Sequence, residues 1–183
     1  MRRVVLIGVG LLAVTAGALA QAPAADIERA LLAAPRNMRD GAMVIKWKAD
    51  GSYDTLRPGT NRLVCYDQSG EPSEQPFSSQ CTSVGNLDRV KQNKELERKE
   101  ADRKVREAQF AELEAGGKRV KPEFGSVWYS MNGKDQETAR LHVTIAVPGA
   151  TATSLGLPDN PKMGGAWIMN AGTSTAHIMT PGS

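Results

Sequence analysis

Leu141, Val143, Ile145 and Val147 alternate with His142, Thr144 and Ala146. Strand side chains point to opposite faces at a period of two, so such a run is stable in water only as a half-buried strand of a sheet. The period recurs at 42–48, where Met43, Ile45 and Trp47 stand against Val44, Lys46 and Lys48, and Asp50-Gly51 then signals a hairpin. A second strand at 53–57 leads into Pro58-Gly59-Thr60-Asn61 and a third at 62–67, so these three are expected to form a β-meander. Further strands are expected at 126–131, 166–170 and 176–180, the last two as a hairpin around Gly172.

Helical patterns interrupt this β character twice. Asp26 is placed to cap a short helix through residue 34, with Ile27, Leu31 and Ala34 on one face and Pro35 ending it. Residues 87–115 contain neither Pro nor Gly, and as one continuous helix they would span about 43 Å. Between Leu87 and Glu114 stand eight basic and eight acidic residues, with Glu95/Lys99, Glu100/Lys104 and Asp102/Arg106 at helical pairing distance. The seam Leu87, Val90, Lys94, Glu97, Ala101, Val105, Ala108 meets charge in its middle, which argues against a coiled coil. The segment is therefore expected to be a solvated helix inserted in the domain, packed at its ends through Leu87/Val90 and Phe110/Leu113 and open to a protein partner. The expected fold class is α+β: an antiparallel sheet of five to seven strands, a short N-terminal helix and one long charged helix.

The N-terminus points outside the cytoplasm. Arg2-Arg3, an uncharged apolar run over 4–19 and Ala18-Leu19-Ala20 match a Sec signal peptide cleaved after residue 20, and the apolar run is short of the roughly 20 residues a spanning helix needs. Residues 21–183 are then a single domain, periplasmic or secreted, with no stable membrane insertion after cleavage. The 23 Lys and Arg against 20 Asp and Glu give +3, which becomes +1 once Arg2 and Arg3 are removed. So small an excess argues against a nucleic-acid partner. In an oxidising compartment the lone pair Cys65 and Cys81 is expected to form one disulfide, closing a loop rich in polar and turn residues.

The runs "IERALLAAP", "DGAMVIKW", "LRPGTN" before "VCY", and "GGAWIMNAGTSTAHIMTP" resemble a group of uncharacterised exported bacterial proteins. That group shares a helix ending in AAP, a G-x-N segment before a cysteine and a terminal G-T-x-x-x-H-x-M-x-P. The resemblance implies kinship and carries no reaction.

Chemistry is sparse. His177 and Met179 share a strand face, and with Met131, Met163 or Met169 they compose a thioether and imidazole set suited to copper. Alternatively, His177 could serve as general base for Ser174, Thr173 or Thr175, with Asp159 or Asp135 orienting the ring, as in a hydrolase. His142 reads as a surface histidine on the polar side of its strand, and no nucleotide-binding loop is present. Trp47 belongs with the core, whereas Trp128 or Trp167 is placed to offer an aromatic platform for a sugar, lipid or peptide. The expectation is a small non-enzymatic binding or interaction module without a cofactor, the alternative being a hydrolase-like enzyme or a copper protein centred on His177.

Overall fold

The computed structural model describes residues 21–181; the expected signal peptide at 1–20 lies outside the described residues. Eight strands form one open, mostly antiparallel sheet: β1 (Met43–Trp47), β2 (Tyr53–Arg57), β3 (Leu63–Asp67), β4 (Phe77–Ser83), β5 (Val127–Gly133), β6 (Arg140–Ala146), β7 (Trp167–Met169) and β8 (His177–Met179). The described helices are α1 (Gln21–Ala30), α2 (Leu87–Lys99), α3 (Arg103–Ala115) and the single turn α4 (Ala152–Leu155). The α+β class therefore holds, with more strands than expected and the charged helix in two pieces.

The expected meander is not formed. The sheet order is β2-β1-β3-β4-β5-β6-β8-β7, and β3 runs parallel to β1 on the side away from β2. Pro58 to Asn61 causes this by crossing the end of β1. The amides of Thr60 and Asn61 donate to Gly41 O at 2.8 and 3.0 Å, and Asn61 Nδ2 donates to Met38 O at 2.9 Å. A Cβ on Gly59 would stand 2.5 Å from the Met43 amide nitrogen, so only glycine permits the crossing. The Asp50-Gly51 hairpin forms as expected, with Gly51 at φ 79° and Asp50 accepting from the Ser52 amide at 2.9 Å.

Strand β4 lies in a stretch read as disulfide loop. Its pairing with β3 sets Cys65 opposite Cys81, Cα atoms 4.1 Å apart, and the two are bonded as a disulfide. Over this bridge lies the α1 segment, whose Ala30, Leu31, Ala33 and Ala34 pack with Val44 and Leu63 into a buried cluster. Asp26 sits inside helix α1 rather than capping it. The helix ends at Ala30, whose carbonyl accepts from the Ser79 hydroxyl at 2.9 Å, meeting the need of a carbonyl at a helix end.

The opposite face carries Ile45, Trp47, Val64 and Tyr66, covered by Val90 of α2. Helix α2 is held at both ends. At its start the buried Asn86 donates to Thr82 and Ser126 at 2.7 and 2.9 Å and accepts from the Glu123 amide at 2.7 Å. At its end Arg98 grips both Glu71 oxygens and the Lys48 carbonyl. The middle of α2 is buried as well, through Arg89, Val90 and Lys94, so packing is not confined to the ends of the charged segment.

The break between α2 and α3 falls at Glu100 to Asp102. Asp102 uses its carboxylate to cap α3, accepting from the Lys104 and Val105 amides at 2.8 and 3.2 Å. Helix α3 buries no residue fully. Its C-terminal half docks by Phe110 under the Arg119 guanidinium, 4.1 Å from the ring centroid, and by Glu114 on Ser174.

Candidate functional site

Strand pairing lines up the α2 side of the sheet in rows. Trp128, Thr144, Met179 and Trp167 form one row across β5, β6, β8 and β7. Gln80, Ser130 and His142 form the row on one side of it, and Ala146, His177 and Met169 the row on the other. Because the apolar part of this face ends near Tyr66 and Trp128, the floor beyond them is polar. Tyr66 donates its hydroxyl to Gln80 Oε1, and Gln80 Nε2 donates to Ser130 at 2.9 Å. These bonds fix the Gln80 amide orientation.

Between this floor and α2 is a cleft of about 360 Å³. Gln80, Trp128, Thr144, Ala146 and His177 line it from the sheet. Arg89, Val90, Asn93, Lys94 and Glu97 line it from α2, and Glu74, Gln68 and Asn170 close it from the loops. Burying this many polar groups is costly unless each finds a partner.

Lys94 is the most unusual of them. Only 3% of the residue is exposed, yet its ion partner Glu71 Oε1 stands 3.7 Å away, beyond hydrogen-bond length, because Arg98 already occupies Glu71. Its Nζ lies over the Tyr66 ring, 5.7 Å from the centroid. Burial pushes the Lys94 ammonium toward its neutral form, against the opposing pull of Glu71, Glu74 and Glu97. Burial raises the Glu97 carboxyl above the usual carboxylate range, and the charge on Glu74 raises it further. Glu74 is raised in the same way by burial, although a hydrogen bond from Ser78 and the charge on Lys94 pull it back.

The cleft is braced from behind. Arg89 donates to the Val120 carbonyl and, at 3.1 Å, to the Ser174 hydroxyl. Burial favours loss of charge on Arg89, while Glu114 opposes this. Arg119 reaches Gln92 at 2.7 Å and Asn93 at 2.5 Å, and burial, reinforced by Arg89, lowers its pKa to about 10.

Of the residues singled out in the sequence, Trp128 and His177 line the cleft. Trp167 shares the face but lies three strands from Trp128, about 14 Å at ordinary strand spacing. His177 has Nδ1 2.7 Å from Thr175 O, so that nitrogen carries the proton and Nε2 is left as the acceptor. Met179 is buried in the same strand, Met169 is the cross-strand neighbour of His177, Met131 belongs to the opposite face, and Met163 is on an exposed turn. Among the described residues, no group of three or more His, Cys, Asp or Glu side chains is placed to hold a metal ion.

The hydroxyls near His177 have other partners. Ser174 is bound through its amide and hydroxyl by Glu114, and Thr173 and Thr175 share a hydrogen bond of 2.8 Å. Asp135 is bound to Thr138 in the β5–β6 turn, and Asp159 is exposed. His142 is half-buried on the α2 side of β6, opposite Ser130.

Sequence reasoning passed over Lys94, Glu97, Arg89, Glu74 and Gln80. A signal for the first two existed, because Val90, Lys94 and Glu97 fall on one helical stripe. Their charge read as an interrupted seam, whereas in the fold it is the roof of a polar cleft. No family model, curated protein or solved structure matches the chain.

Proposed function

We propose that the protein is a non-enzymatic binding module, exported to the periplasm or beyond, and that the cleft between α2 and the sheet is its ligand site. The observation that carries this reading is Lys94, a cation only 3% exposed at the wall of a 360 Å³ cleft, whose ion partner Glu71 stands 3.7 Å away. Buried charges are normally paired and closely hydrogen-bonded, and a ligand acceptor in the cleft would add a short bond to the single 3.7 Å ion pair. Volume and lining fit a small molecule, with an aromatic wall at Trp128 and a few converging polar groups. Export accords with the Cys65–Cys81 disulfide, and no described helix is long and apolar enough to cross a membrane.

The binding reading ranks above the hydrolase because the candidate nucleophiles near His177 have other partners, Ser174 being held by Glu114 and Thr173 and Thr175 by each other. Of the thioethers in the copper reading, Met131 faces away from His177 and Met163 is on an exposed turn, whereas Met169 and Met179 stay near it; the binding reading ranks higher because it draws on the converging polar groups of the cleft. The test is amide and indole chemical-shift mapping of the mature chain against a panel of small acids, amines, polyols and saccharides. The expected result is saturable shifts at Lys94, Glu97 and the Trp128 indole with at least one class, and no turnover of ester, peptide or glycoside substrates. Shifts confined to other surfaces would remove the cleft as the site, and turnover lost in His177→Ala would replace the binding module with an enzyme.

A further inference from the structure

We infer that the ligand of the cleft is a neutral saccharide, an inference that rests on reading the cleft as the ligand site. The argument begins with charge. Lys94 and Arg89 line the cleft together with Glu74 and Glu97, so both signs are interleaved around one small volume. A ligand with a full negative charge would meet Glu74 and Glu97 beside Lys94, and one with a full positive charge would meet Lys94 and Arg89 beside the carboxylates. Either is penalised by like charges at close range.

A hydroxyl group escapes the conflict, since it donates to a carboxylate and accepts from an ammonium or amide at the same time. Adjacent hydroxyls on a ring repeat that pattern at the spacing of neighbouring polar side chains. The roof offers it Lys94 as a donor and Glu97 as an acceptor. At the ends stand Asn170 and His177, whose Nε2 is left to accept by the bond at Nδ1. Trp128 supplies the apolar complement, since the C–H face of a sugar ring packs on an indole while its hydroxyls turn to the polar wall. The 360 Å³ volume lies at the small end of the range for small-molecule sites, room for about one or two rings.

The experiment titrates the mature, disulfide-bonded chain with cellobiose, maltose and the N-acetylglucosamine disaccharide, and separately with succinate and putrescine, recording the amides of Lys94 and Glu97 and the Trp128 indole. The expected result is saturable binding of at least one saccharide at millimolar concentration or tighter, unchanged between low and high salt. Glu97→Gln, which keeps the shape of the side chain, is expected to weaken it at least tenfold, and Trp128→Ala at least as much; Glu97→Gln serves as the decisive variant if Trp128→Ala fails to fold. Saccharide binding of equal strength in wild type and Glu97→Gln would overturn the assignment of the roof as the polar wall. If succinate or putrescine moves the cleft resonances and no saccharide does, the cleft remains a ligand site and the saccharide inference falls. If no probe moves them, both fall.

Discussion

On the α1 side of the sheet, Ala30, Ala33 and Ala34 bring the chain close against Val44, Leu63 and the Cys65–Cys81 bridge, and the polar group buried there, the Ser79 hydroxyl, is bonded to Ala30 O. On the α2 side, one helix lays Val90 on Trp47, Val64 and Tyr66 and then, a turn later, buries Lys94 and half-buries Glu97 over Gln80 and Trp128. The first face gains free energy from nearly every side chain it buries. The second gives part of that gain back, because buried ions and amides must be desolvated. A region that buries polar groups where apolar ones would stabilise more is where function is to be sought.

The largest effect expected of this contrast is on the α1 side. Leu63→Ala leaves a cavity in a packed apolar cluster and is expected to lower unfolding free energy by about 2–5 kcal/mol, read from urea denaturation. A loss much below that range would show that α1 can collapse onto the sheet and that the face is not tightly packed. Replacing both cysteines with Ala is expected to cost about 3 kcal/mol, the value for a closed loop of this size. The reduced wild type, left unalkylated, should shift in midpoint in the same direction.

The polar side should respond in the opposite sense. The Glu97 carboxyl is raised in the folded state, so below the ordinary carboxylate range folded and unfolded chains hold the proton equally and the group has no net effect. As pH rises from there through the raised folded value, the folded chain holds more protons than the unfolded chain, and stability falls across that window. Glu97→Gln is therefore expected to unfold at a slightly higher temperature than wild type at pH 7, with the gap closing on acidification to pH 4. A gap that persists unchanged at low pH would place the cause outside the titration of Glu97. The smallest effect is expected on α3: Val105 is 45% exposed, and Val105→Ala should change stability by no more than about 0.5 kcal/mol.

Much of the frame was legible because it is local. The alternation in β1 and β6, the Asp50-Gly51 turn and the C-terminal hairpin each follow from side-chain period or turn chemistry within a few residues. β4 was not legible, since Phe77–Ser83 is mostly Ser, Thr, Gln and Cys and lacks the alternation that marks a half-buried strand. It is a strand because its neighbours on both sides bury it. The helix break was hidden for a different reason: Asp102 supports helix as a pairing partner for Arg106 and ends it as a cap, and the cap prevailed.

The amino-acid sequence by itself determined the β1, β2 and β6 strands, the Asp50-Gly51 turn and the C-terminal hairpin, because these depend on residues near in the chain, and it left two sulfurs available to each other. The tertiary structure alone decided that the chain crosses at Gly59 to set β3 parallel to β1, and that Lys94 and Glu97 roof a cleft floored by Gln80 and Trp128. A charged residue on a helix is solvated or buried according to what lies opposite it, and the surface opposite α2 is assembled from strands far away in the chain.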